Sequence, residues 1–110
     1  MGTRTGIPPG TLDMLILKSL ARLGPMHGYG VAQHIQQTSE DVLQVEEGSL
    51  YPALQRMLLK GWVVAEWKRS ENNRRARYYQ LTPDGRKQMA REVTEFERVM
   101  AAIGRVIEPA

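Results

Sequence analysis

The sequence contains no cysteine, so neither a disulfide framework nor a thiolate metal site is available to it. That suits a reducing cytosol, where disulfides are rare. It has two histidines, His27 and His34, seven residues apart, and two imidazoles without a thiolate make a poor zinc set. No apolar run approaches the roughly 20 residues that a membrane-spanning helix needs. Met1 to Gly10 also lacks the apolar stretch of a secretory signal. Its glycines and prolines predict a flexible leader instead. Catalytic signatures are missing as well: there is no nucleophile elbow, no HExxH and no P-loop. Gly24, Gly28 and Gly30 lie between helical segments rather than after a strand, which argues against a nucleotide cradle. Neither a cofactor nor enzymatic activity is expected. With 110 residues the chain suits a single modest core, and a partner subunit would help to cover it.

What the chain does carry is a localised charge. The net charge is +3, and its source is narrow. Lys68, Arg69, Arg74, Arg75 and Arg77 stand within ten residues, opposed there only by Glu71. The remainder is slightly acidic. A basic patch on a near-neutral body is the electrostatic footprint of a polyanion contact. Taken alone, such a run is more simply a solvated hairpin tip; its neighbours favour the contact.

The residue pattern predicts four helices and one hairpin. Thr11 to Leu23 reads as a helix with Leu12, Leu15, Ile16, Leu20 and Leu23 at three- and four-residue steps, with Thr11 able to cap it and Gly24-Pro25 to stop it. A second, short helix spans about His27 to Thr38 on Val31 and Ile35, followed by a polar break over Thr38 to Asp41. The third runs from about Glu47 to Lys60, stopped by Gly61. At 100° per residue, Leu50, Leu54, Met57 and Leu58 share one face of it. Gly48, Pro52, Gln55, Arg56 and Leu59 lie opposite, with Tyr51 on the rim. Pro52 is expected near the helix start, where a missing N–H costs little. Trp62 to Ser70 and Arg75 to Leu81 read as strands about a Glu71-Asn72-Asn73 turn. Thr82-Pro83-Asp84 opens the last helix, which Pro109 ends. Met89, Val93, Phe96, Met100, Ile103 and Ile107 form its stripe at steps of four and three, a heptad seam. At 1.5 Å per residue this helix is roughly 37 Å long. It outreaches a core built from the first 81 residues, and a second copy is the simplest cover for its outer end. The fold class is therefore mainly α with a small β-hairpin: a winged helix-turn-helix over residues 1–81 and a long C-terminal dimerisation helix over 82–110.

Three segments carry a resemblance. Pro25-Met26-His27-Gly28-Tyr29-Gly30 resembles the HGY segment of PadR-family transcriptional regulators. Gly48-Ser49-Leu50-Tyr51-Pro52-Ala53-Leu54 is similar to that family's recognition-helix signature, and Arg74-Arg75-Ala76-Arg77-Tyr78-Tyr79-Gln80-Leu81-Thr82 to its wing strand. Order and spacing agree over about residues 10 to 107. One departure is the run Arg56-Met57-Leu58-Leu59-Lys60-Gly61. Many members carry an acid there after a leucine, so its ion pair is not carried over. The resemblance implies a cytoplasmic homodimer that represses transcription, of the short form with one C-terminal helix.

On that resemblance the third helix lies in the major groove of double-stranded DNA. Ser49, Tyr51, Gln55 and Arg56 become the base- and phosphate-facing residues, with Gln55 suited to adenine and Arg56 to guanine or phosphate. Pro52 would shape the close approach. Tyr51 either bonds a phosphate or completes the core as a rim aromatic. His27 and Tyr29 belong at a helix start near the backbone. On the wing, Lys68, Arg69, Asn73, Arg74, Arg75 and Arg77 are the contacts; strand alternation prevents all from facing one way, and Arg74 and Arg75 are favoured. Met89, Val93, Phe96, Met100, Ile103 and Ile107 would form the dimer interface. In some multidrug-sensing relatives an aromatic near Phe96 flanks a pore on the dimer axis, which makes a small apolar effector a second candidate partner. Ordinary coiled-coil packing is the simpler account of Phe96. Trp62 reads as core and Trp67 as partly exposed on the sheet, neither on the seam. The rival reading is a winged-helix module that docks an acidic protein. The polar face carrying Ser49, Gln55 and Arg56 speaks against it.

Overall fold

The computed structural model describes residues 5–108. Helix α1 (Leu12–Leu23) is the hub. Ile16, Leu17 and Leu20 are fully enclosed, and the helix packs against all three other helices and the wing. Gly24 ends it with φ +75°, its N–H returning to the Leu20 carbonyl; a glycine adopts that left-handed turn without Cβ strain. Thr11 precedes the helix but does not cap it through its side chain. Its backbone is already near-helical, and its hydroxyl donates to the Pro8 carbonyl at 2.8 Å.

The expected flexible leader is also corrected in part. Thr5–Gly6 (β1) pairs in parallel with Leu43–Gln44 (β3), and the Thr5 N–H donates to the Val42 carbonyl at 2.7 Å. Ile7 then packs against the core, so apolar burial and two short strands hold what glycine content alone would loosen. Met1 to Arg4 and Pro109 lie outside the described residues.

Met26–His27 (β2) leads into α2 (Gly28–Thr38), which buries Gly28, Val31 and Ile35. The polar break after Thr38 is a tight reversal in which Glu40 and Asp41 both take positive φ, 54° and 67°. Side chains support it: Gln36 donates to the Asp41 carboxylate, and the Ser39 hydroxyl accepts from the Leu43 N–H. Helix α3 (Glu47–Leu59) follows and buries Leu50, Ala53, Leu54 and Met57. It begins early enough that Pro52 is its sixth residue, not a first-turn residue as the sequence suggested. A proline there cannot donate to the carbonyl four residues back, so the Gly48 carbonyl receives no i+4 bond.

Strands β4 (Val63–Arg69) and β5 (Arg75–Leu81) form the antiparallel hairpin, and β2 adds to the other edge of β5, giving the order β2-β5-β4. Asn73 turns the tip at φ 58°, a conformation asparagine tolerates. Helix α4 (Pro83–Ile107) starts as expected: the Thr82 hydroxyl accepts from the Gly85 N–H at 3.0 Å, with Pro83 in the first turn. The same hydroxyl donates to the Gly61 carbonyl at 2.6 Å, and the Thr82 N–H donates to the Trp62 carbonyl at 3.0 Å. Gly85 lies so close to the Trp62 carbonyl that a Cβ would collide with it. The end of α3 and the start of α4 are thus clamped together.

Candidate nucleic-acid interface

The outward face of α3 is polar and open. Ser49, Pro52, Gln55 and Arg56 are all exposed, as is Gly48 between them and the helix N-terminus. Nothing lies within 4 Å of a Cβ built on Gly48, so its hydrogen keeps the helix backbone accessible rather than relieving an internal clash. Arg56 is not free. Its guanidinium meets the Asp13 carboxylate at the start of α1, 3.0 Å away. The sequence pattern gave no sign of this pair, because Asp13 is 43 residues distant.

Between the wing and the α2–α3 corner runs a cleft of about 940 Å3. One wall is the wing, with Trp67, Arg74, Arg75 and Arg77; the other is His27, Tyr29, Gln33 and Tyr51. Pairing register explains the wing wall. Val63, Ala65, Trp67 and Arg69 face the same way as Leu81, Tyr79, Arg77 and Arg75, directly across the ladder. The inner half of this face, Val63, Tyr79 and Leu81, is buried core. The outer half continues past the core as an aromatic and cationic strip. Arg75 stacks over Trp67, 5.0 Å from the ring centre, and Arg77 over Tyr79 at 5.9 Å. Among the described residues Arg74, Arg75 and Arg77 make no ion pair, so their charge is available to a ligand.

The remaining wing candidates separate from this group. Lys68 points to the opposite face of the sheet, where it pairs with Glu66 at 3.3 Å and lies over Tyr78. Arg69 folds back onto the hairpin tip and donates to the Asn73 carbonyl and side chain. Of the sequence candidates, then, His27, Tyr29, Tyr51, Arg74, Arg75 and Arg77 converge on one cleft. Ser49, Pro52, Gln55 and Arg56 occupy the adjacent α3 face. Gln33 and Trp67 line the cleft unforeseen; for Trp67 the strand alternation with Ala65 and Val63 held the signal.

The HGY and LYP segments belong to one piece of packing. The His27 ring caps α2 by accepting the Gly30 N–H at Nδ1, 2.9 Å away, which leaves Nε2 to carry the neutral ring's proton. Tyr29 stacks on His27 and Tyr78 meets it edge-on. The Tyr51 ring lies on Gly28, where a Cβ would stand 2.8 Å from Cε1. Its ring seals the α2–α3 corner, as a rim aromatic does, while its edge lines the cleft. Partial burial, then the Glu47 carboxylate and Tyr79, raise its phenol above the ordinary value. At neutral pH it remains a donor.

On α4 the heptad stripe divides. Met89 packs against its own chain's core and Val93 is half-buried. Beyond them Phe96, Met100, Ile103 and Ile107 stand exposed, Ile107 by 73%. A row of large apolar side chains in the open is unusual for a protein that works alone.

Comparison with known proteins agrees with this geometry. The family described as the transcriptional regulator PadR-like family matches residues 16–91. A transcriptional regulator from Clostridium thermocellum is 26% identical, with a TM-score of 0.81 over 90% of this chain and 95% of that one. A PadR family transcription regulator from Clostridium difficile R20291 is also 26% identical, with a TM-score of 0.76 over 90% of this chain and 100% of its own. An uncharacterized 37.1 kDa protein in transposon TN4556 of Streptomyces fradiae is 39% identical over 98 residues; the match takes in 89% of this chain and 26% of that relative's length. No described helix is long and apolar enough to cross a membrane. With its winged helix, its basic cleft and this match, the chain belongs to the PadR-like family of DNA-binding transcriptional regulators.

Proposed function

We propose that the protein is a cytoplasmic, homodimeric repressor that binds an inverted-repeat operator through residues 1–81 and dimerises through 82–110. The observation that carries this reading is the co-occurrence of an unpaired basic cleft beside an open, polar α3 face with an uncovered heptad seam on α4. Each half answers to one requirement of the function. The α3 face presents Gln55 and Ser49 to base edges in the major groove, and Arg56 once released from Asp13. Arg74, Arg75 and Arg77, with the Tyr51 hydroxyl and the His27 ring, hold the phosphate strand beside it. The seam from Val93 to Ile107 joins two such heads, which then reach successive major grooves about 34–36 Å apart.

Repression follows if the bound dimer occludes a promoter. Control follows from the clamp between α3 and α4. Because Thr82 and Gly85 tie the start of α4 to Gly61 and Trp62, a change in crossing angle between the two α4 helices is carried into the spacing of the recognition helices. A small apolar effector wedged beside Phe96 and Met100 would act through that lever. The chemistry is binding alone, and no residue of the cleft is asked to make or break a bond.

Selection from a random duplex pool at near-physiological salt tests the reading. An enriched inverted repeat with half-site centres about 10 bp apart is the expected result. A pool that stays random, with affinity vanishing as salt rises, would overturn it.

A further inference from the structure

Trp67 is an odd residue to leave in the open. It is 57% exposed, and large apolar side chains at the surface are informative when they stand inside a charged site. Its partner across the ladder is Arg77, and the Arg75 guanidinium lies 5.0 Å from its ring centre. Both arginines line the same cleft wall. An apolar protein partner covering Trp67 would have to bury those two charges, a costly arrangement without paired acids. A strand of duplex DNA presents both chemistries in alternation: an anionic phosphate, then the apolar C–H face of a deoxyribose. Arg75 and Arg77 are alternate residues of one strand on the same face, so their Cα atoms stand about 6.8 Å apart, a spacing that lets the two long side chains reach successive phosphates. The indole sits beside that pair, opposite Arg77 in the ladder and under the Arg75 guanidinium.

Resting on the DNA-binding reading above, we propose that Trp67 is a direct DNA contact of the wing, its indole face packed on the deoxyribose between the two phosphates that Arg75 and Arg77 hold. The stacked guanidinium fits the same role. Cation–π contact restrains Arg75 over the ring, so the charge and the apolar surface approach the strand as one unit. Lys68 and Glu66 on the other face of the wing are paired with each other and take no part.

The test combines quenching with binding. Trp62 is common to the native protein and a Trp67→Phe variant, so the difference in acrylamide quenching between them reports Trp67. Trp67 is expected to be quenched freely in the unbound protein and protected in the complex with saturating duplex. Trp67→Ala is expected to weaken duplex binding about tenfold with the slope of log K against log salt unchanged. Arg75→Ala instead should flatten that slope by about 0.9. Trp67→Phe keeps an apolar ring and most of the affinity. Three results would overturn the contact: Trp67 equally quenched in the complex, native affinity in Trp67→Ala, or a flattened slope in Trp67→Ala matching Arg75→Ala, which would mean that the ring only holds the guanidinium. If the native protein bound no duplex at all, the DNA reading itself would fall, and the proposed role of Trp67 with it.

Discussion

The Asp13–Arg56 pair restrains a residue of the proposed DNA-reading face of α3, and removing the acid measures by how much. The two side chains meet at 3.0 Å, but Arg56 is 53% and Asp13 26% exposed, so the pair has the strength of a surface ion pair, about 0.2–1 kcal/mol. Arg56 must give up that much to reach DNA. Asp13→Asn therefore strengthens duplex binding by about 1.4- to 5-fold. The slope of log K against log salt should change by less than the roughly 0.9 of one phosphate contact, because Arg56 reaches the DNA in both proteins. Fold stability falls slightly, by about 1 kcal/mol or less, because Asp13 also stands in the first turn of α1. Fluorescence anisotropy of a labelled duplex across a salt series reads both binding quantities. The control is Arg56→Ala, in whose background Asp13→Asn should bring no gain. A gain that persisted without Arg56 would reduce Asp13 to general repulsion of the duplex and refute the tether.

Two other substitutions separate stability from binding. Gly48→Ala meets no atom within 4 Å and needs no unusual φ, so it should stabilise α3 by roughly 0.5–1 kcal/mol while weakening binding to the selected duplex, because its methyl would lie on the α3 face proposed to enter the groove. Thermal melts and anisotropy of the same preparation check the pair of signs. Phe96→Glu with Met100→Glu places carboxylates on the exposed seam. The variant is expected to sediment as a folded monomer and to bind a full inverted repeat at least about a hundredfold more weakly, since two linked heads gain that order from avidity. A dimer of native affinity would place the interface elsewhere.

Much of this arrangement was legible in the sequence, for identifiable reasons. Periodicity located the four helices, and β-forming runs about an Asn turn located the hairpin; α2 buries Val31 and Ile35, and α3 buries Leu50, Leu54 and Met57. Thr82-Pro83-Asp84 announced α4 through local capping chemistry, and local chemistry is what one sequence reveals best. The misses were long-range or very short. Strands β1, β2 and β3 are two residues each, too brief for any alternation to show. Thr11 sits at the right place to cap α1, yet its hydroxyl found Pro8 instead. The wing cations were visible in the sequence, but their sorting depends on tertiary partners. Lys68 faces Glu66 on the outer surface, Arg69 is turned onto Asn73, and only Arg74, Arg75 and Arg77 reach the cleft. Arg56 looked free until Asp13 was brought beside it by the packing of α1 on α3. Trp67 was visible as an exposed sheet residue; its alignment with Arg77 needed the register.

If the wing cleft holds DNA phosphates, its arginines must govern the salt dependence of duplex binding. The measurement compares the native protein with an Arg74→Ala, Arg75→Ala double variant on one duplex from low to physiological salt. Log K should fall linearly with log salt for both proteins. The double variant should bind more weakly whatever the sequence, with a slope flatter by about 1.8, or 0.9 for each phosphate that an arginine no longer neutralises. An unchanged slope and unchanged affinity would contradict it and leave the cleft without its ligand.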